Sequence, residues 1–234
     1  MSVSSPPSTA ASSGAHVRPT VSAPTRVLAR ISATAAVVSI TAIALAGLVD
    51  PGYSAVSEGI SALASHESQA APIMIAGFMA MAVALISAGA ALFRLLPGRR
   101  AGAAAVLVVL AGLATFLVGF ARLDCSTLQA ECLAREHAET VSGGHVLHNL
   151  VSLALFVLLS VAALLWGAGL RRIGERRLAR FTLIAAALTV VFFVWFMSGA
   201  YGSAGGLVQR VFIPLAYGWP VLLADLLSRV KAGR

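Results

Sequence analysis

Six long apolar runs fix the fold class of this chain. They cover about residues 27–49, 72–93, 101–121, 145–170, 181–200 and 207–227. Each approaches the ~20 residues that carry a helix across a hydrocarbon core of about 30 Å. Composition supports the same reading, with 59% hydrophobic and 11% charged residues against roughly a quarter charged in soluble domains. So little polar surface cannot coat a water-soluble particle. The expectation is an all-α integral membrane protein, a bundle of six transmembrane helices over 27–229 whose main partner is the lipid bilayer.

The ends are polar. Residues 1–26 are rich in Ser, Ala, Pro and Thr. They bury too little to offset their ordering entropy and read as a disordered tail. Residues 230–234 form a short basic tail. The first run has a rival reading as a signal peptide, with Ala44-Leu45-Ala46 as its cleavage site. It exceeds the usual core of 7–15 residues, so a retained first helix is preferred.

Basic residues orient the bundle. Arg18 and Arg26 precede the first run and Arg30 lies in its first turn, and Arg94, Arg99 and Arg100 separate the second from the third. Five arginines between residues 171 and 180 separate the fourth from the fifth, and Arg229, Lys231 and Arg234 close the chain. That puts 14 of the 17 basic residues on one side, which the positive-inside rule makes cytoplasmic, together with both termini, in a multi-pass protein of the cell membrane. The net charge of +8 therefore reflects topology. Without a basic stripe or an aromatic stacking platform, it does not point to nucleic acid.

Small residues recur every four positions at Ala76, Ala80, Ala84 and Ala88, and again at Ala111, Thr115 and Gly119. Such stripes let helices approach closely in lipid.

The same topology sends the remaining polar groups to the outer side. There stand seven of the nine carboxylates, with Arg122, Arg135 and Arg210. The densest stretch, 124–149, contains Asp124, Cys125, Cys132, His137, His145, His148 and Asn149, the only asparagine. Cys125 and Cys132, separated by six residues in an outer loop, most simply form a disulfide. A metal pair is the alternative, although the gap is not a typical zinc spacing.

His145 and His148 lie three apart on one helix face, a spacing that can present two imidazoles to zinc or another metal. Further ligands would come from Glu58, Asp124, His137 or His66. A proton-handling or ligand-binding role, or simple capping of the helix, are the other readings. Glu58 and Ser61 also share a face if they lie on a short helix, either pointing an acid and a hydroxyl into one cavity or capping it. Arg210, about one turn into the last run, is costly in a span unless it is paired. Glu58 and Asp124 are its candidate partners, and snorkelling to the interface is the alternative.

Ser57-Glu58-Gly59-Ile60-Ser61 after the first run, Asp124 after the third, Gly144-His145 with His148 opening the fourth and Gly206-Leu207-Val208-Gln209-Arg210 opening the sixth form an ordered set. In this the chain resembles the bacterial six-helix family catalogued as domain of unknown function 998, over about residues 27–229. The resemblance implies six helices and no established activity. A fainter similarity connects it to the Frag1/DRAM/Sfk1 group, associated with lipid handling. Fainter still is one to membrane hydrolases that hold zinc with Ser, Asp and three His. This chain lacks their His-x-x-x-His spacing and their seventh helix.

Three functions follow as expectations. The first is binding or transport of a small ligand or lipid headgroup in an outer polar pocket of Glu58, Ser61, Asp124, His145, His148, Asn149 and Arg210. The second is a membrane-embedded, metal-dependent hydrolase acting on lipid, with zinc or another metal on His145, His148 and a carboxylate and Glu58 as general base. No Gly-x-Ser-x-Gly or His-Glu-x-x-His motif accompanies it. The third is an accessory protein whose outer polar groups lock the bundle.

Overall fold

The structure, a computed structural model, describes residues 21–230. Among these residues there are seven α-helices and no strand: α1 (Ala23–Val49), α2 (Ala71–Leu95), α3 (Arg99–Phe120), α4 (Ala130–His137), α5 (Gly143–Arg172), α6 (Arg176–Ser198) and α7 (Gly205–Val230). Six are long and apolar enough to cross a membrane. The exception is α4, which lies in the connection between α3 and α5. Most of the tail expected over 1–26, and all but the first residue of the basic tail expected over 230–234, lie outside the described residues.

Helices begin earlier than the apolar runs do. α1 starts four residues before Val27, with a proline in its first turn, where the missing N–H costs nothing. α6 begins at Arg176, because arginine propagates a helix as well as most apolar residues do and the polar side chains extend beyond the apolar slab. α7 keeps Pro214 and Pro220 in its interior.

Neighbours in sequence are neighbours in space. α1 packs on α2, α2 on α3, α3 on α5, α5 on α6 and α6 on α7, while α7 returns to α1 and α2 to close the bundle. Pairing runs antiparallel. Near one end of the α2–α3 seam Gly119 meets Phe78, and further along Gly112 meets Ala82 and Ile86. A Cβ on Gly112 would stand 3.1 Å from the Ala82 carbonyl oxygen, so glycine sets the helix separation there.

The expected four-residue stripe on α2 divides differently. The Ala84 carbonyl accepts from Ser32 of α1 at 2.8 Å, and Ala76 is exposed. The reason is that α2 touches α1, α3 and α7, so no single stripe can serve all its faces.

Large apolar side chains cover the outside: Leu48 is 81% exposed, and Val37 and Met197 are 62%. A largely apolar exterior on six helices of spanning length makes the chain a multi-pass membrane protein. Its two ends differ. The arginine end carries Arg26, Arg30, Arg94, Arg99, Arg100 and the α5–α6 cluster. The acidic end carries α4, the short 3-10 turn Ile60–Ala64 and the starts of α5 and α7.

Candidate functional site

Three constructions occupy the acidic end. The first surrounds the start of α5. Ser142 caps this helix by accepting from the His145 N–H at 3.2 Å, and Asp124 caps Ser142 in turn. The Asp124 carboxylate accepts from the Ser142 N–H at 2.6 Å and from its hydroxyl at 2.7 Å. Partial burial pushes the Asp124 carboxyl up, but the two Ser142 hydrogen bonds, with the Arg135 guanidinium and the His145 ring nearby, outweigh it and hold it below the ordinary carboxylate value.

His145 is fully buried and bonded at both ring nitrogens. Its Nδ1 accepts from the Asp124 N–H at 3.1 Å. A nitrogen that accepts carries no proton, so Nε2 is the protonated one and donates to Glu136 Oε1 at 2.6 Å. Asn149 Nδ2 donates to that same oxygen at 3.2 Å. Glu136 Oε2 takes no hydrogen bond from any described residue. Glu136 is delivered by α4, which is stapled back by the disulfide between Cys125 and Cys132, both buried.

The second construction joins the α1–α2 loop to the start of α7. Arg210 donates through Nη1 to the carbonyls of Ala55, Glu58 and Gly206 at 2.9, 3.0 and 3.1 Å, and through Nη2 to the Tyr53 hydroxyl. The Tyr53 hydroxyl donates in turn, its one O–H shared between the carbonyls of Glu58 and Gly59. Burial pushes the Tyr53 hydroxyl above its ordinary value, opposed by the hydrogen bond and charge of Arg210. Gln209 accepts from the Ile60 N–H, and Val56 O from the Leu207 N–H. Gly206 admits the loop: a Cβ there would lie 2.6 Å from the Ala55 oxygen and 2.9 Å from the Glu58 nitrogen.

The third is a cavity of about 370 Å³ between α5, α6 and α7, floored toward α2 and α3 by Phe78 and Val118. Its rim is polar: Ser61, Thr127, Glu136, His148, Asn149 and Gln209. Deeper, the walls are aromatic, with Phe156 in ring contact with Phe193, Phe212 and Tyr217. Leu150, Leu153 and Met197 also line it and are exposed on the lipid-facing exterior, so the cavity reaches the side of the bundle between α5 and α6. The step from His148 to Phe156 on α5 descends roughly 12 Å at 1.5 Å per residue.

These constructions sort the residues singled out in the sequence. His148 and Asn149 line the cavity with Ser61. His148 donates from Nδ1 to the Ala121 carbonyl at 2.6 Å, while His145 sits behind it. Glu58 parts from Ser61. It lies before the short 3-10 turn, accepts from the Ser54 N–H and the Gln129 amide, and lines a smaller external hollow of about 180 Å³ with Asp50 and Glu67.

Arg210 forms no ion pair with Glu58 or Asp124, its expected partners. It meets the backbone of Glu58 instead, because the loop lies flat over Gly206 and turns its carbonyls inward. Asp124 pairs with Arg135 at 3.8 Å.

Metal ligation was the other expectation for this end. Among the described residues, one group of three donors lies close enough to share an ion: Cys125, Cys132 and His145. Its two sulfurs are bonded to each other. His145 and His148 acquire no third ligand from Glu58, Asp124, His66 or His137.

Residues that sequence reasoning left out of the site are Glu136, Tyr53, Gln209 and the aromatic wall. Glu136 carried a signal, since it lies nine residues before His145 at one mouth of the same turn. The wall carried none, because its phenylalanines look like any others in an apolar run.

No curated protein and no solved structure matches the chain. The family described as protein of unknown function (DUF998) matches over residues 33–225, nearly the whole bundle. The chain is a member of the DUF998 family.

Proposed function

We propose that this protein binds a small amphipathic ligand, such as a lipid, in the cavity between α5, α6 and α7, from the extracytoplasmic side of the cell membrane. The observation that carries this is the grading of the cavity wall, hydrogen-bonding side chains at the rim and aromatic rings below, with an opening to the membrane between α5 and α6. Its volume falls in the range of small-molecule sites. A polar solute would have no use for the aromatic half, and a plain hydrocarbon none for the rim.

Orientation follows from the arginine end, which the positive-inside rule assigns to the cytoplasm with both termini. The disulfide at the acidic end supports the same assignment, since cystine persists outside the reducing cytoplasm. Binding fits better than ion translocation. On α5 no Asp, Glu, His, Lys or Arg lies between His148 and Arg171, and on α7 none lies between Arg210 and Asp225. A proton or ion relay across the bundle would need such groups.

Photolabelling tests the reading. A lipid with a photoreactive group in its acyl chain, reconstituted with the protein in bilayers, is expected to label α5 between His148 and Phe156 and α7 between Gln209 and Tyr217, and excess unlabelled lipid should suppress this. Labelling spread evenly over the lipid-facing residues of α1 and α3, with no competition, would overturn it.

A further inference from the structure

We infer that the amphiphile of this cavity carries an uncharged, hydroxyl-rich headgroup of the sugar type, rather than a phosphate. The inference rests on the cavity being an amphiphile site and specifies its chemistry.

The lining contains no Lys or Arg. Its one ionised group is the carboxylate of Glu136. Two guanidiniums stand next in sequence to rim residues: Arg210, which donates to three carbonyls and the Tyr53 hydroxyl, and Arg135 beside Glu136, which faces the carboxylates of Glu67 and Asp124 at 3.7 and 3.8 Å. Arg122 is likewise occupied, by the carbonyls of Ala64 and Ser65. A phosphate drawn into this rim would lose water, gain no cation and face Glu136, which is the costly way to bury a charge.

Hydroxyl groups fit what is offered. Glu136 Oε1 is held by His145 and Asn149, which fixes the carboxylate in place and leaves Oε2 open as a strong acceptor. Around it stand groups that can both accept and donate: the hydroxyls of Ser61 and Thr127 and the side-chain amides of Asn149 and Gln209. Tyr201, stacked on Phe196 with centroids 5.7 Å apart, adds a flat aromatic surface beside the rim. An ammonium headgroup would satisfy Oε2 but leave the ring of hydroxyls and amides without donors and acceptors to meet.

The test uses the whole protein in nanodiscs whose lipid is a neutral carrier, doped with equal amounts of three lipids of identical acyl chains. These are glucosyl-diacylglycerol, phosphatidylglycerol and a trimethylammonium analogue. Lipids retained on the protein are counted by native mass spectrometry. The glucosyl lipid should be retained at least tenfold over the other two, and E136Q should reduce that preference several-fold.

Met197→Trp, at the exposed mouth, is the control for the cavity itself and should lower retention of every lipid while leaving the fold intact. Retention that M197W reduces, but with no preference for glucose or a preference for either charged lipid, would overturn the sugar inference and leave the amphiphile site standing. Retention that M197W does not change would overturn both.

Discussion

Arg210 and Glu136 are both charges at the acidic end, and the structure uses them in opposite ways. Arg210 is turned onto its own fold: three carbonyls and one tyrosine hydroxyl accept from its two terminal nitrogens, and all belong to the seam it closes. Glu136 lines the cavity, is held by one oxygen, and takes no hydrogen bond from any described residue on the other. A charge whose terminal nitrogens are both turned onto its own fold holds that fold together. A charge fixed in place with one site unspent is preorganised for something that is absent until it binds. The seam is therefore architecture and the rim is the candidate for function.

The sharpest way to break this contrast is to remove Arg210. R210A leaves the carbonyls of Ala55 and Glu58 facing a vacated site. Losing several charged hydrogen bonds at once should cost about 3 kcal/mol. Thermal unfolding in detergent reads it. R210K should recover only part, because an ammonium cannot reach three carbonyls and a hydroxyl from one planar fork. Lipid retention by whatever R210A protein stays folded should match wild type. A variant of normal stability and lost retention would place Arg210 in the binding machinery and undo the division.

The disulfide comes next. It ties down α4, which has a single buried residue, Cys132, and so little packing of its own. Double substitution to serine frees a loop of about eight residues, and loop-closure entropy puts the loss near 2 kcal/mol. The loss should be local. Hydrogen exchange should quicken through 126–140 and leave the amides of α2 and α3 unchanged. Quickening across the whole bundle would mean that α4 is part of the core.

How far the sequence could be followed to this point depends on whether a property is local or relational. Spanning length is local, so the six runs were legible, and alternation of arginine-rich and acidic connections gave the two ends. Partner choice is relational. Arg210 looked for a carboxylate because charge is what a sequence displays, and found carbonyls because Gly206 lets the loop lie against α7. Glu58 and Ser61 looked like one face, and part because the chain does not turn helical until Ile60. α4 was hidden since its eight residues, four of them Glu131, Arg135, Glu136 and His137, are too few to display a repeating helical period. The cavity was invisible for the plainest reason: Phe156, Phe193 and Phe212 are spread over three helices, and only packing brings them together.

Glu136 sharpens the comparison from the other side. E136A strands the buried Nε2–H of His145 and should cost about 1–2 kcal/mol, less than R210A. E136Q restores an acceptor to His145 and should cost under about 1 kcal/mol. Stability measured for the three variants ranks seam against rim. If E136A proves the most damaging, Glu136 is the architectural charge and the argument for an open rim fails with it.

The smallest effect is the acid sensitivity of Asp124. Its folded-state pKa lies below the ordinary carboxylate value of 3.8, so folding favours the ionised form. A depressed carboxyl stabilises the fold fully well above its unfolded value. The contribution shrinks as pH falls through that value and vanishes beneath the folded one. At neutral pH the cap on Ser142 is intact, and nothing at this group should change between pH 8 and 6. Below about pH 4 the Ser142 N–H and hydroxyl lose their acceptor and the first turn of α5 should loosen. Exchange of the Ser142 and His145 amides, corrected for the intrinsic pH dependence, should rise in that acid window alone. D124N should remove the window and leave exchange faster at every pH. Because Asp124 also donates its N–H to His145, the loosening should carry into the rim and weaken lipid retention in the same range. An acid-induced change in the Arg210 seam, which contains no part of this network, would show instead that the two constructions are coupled.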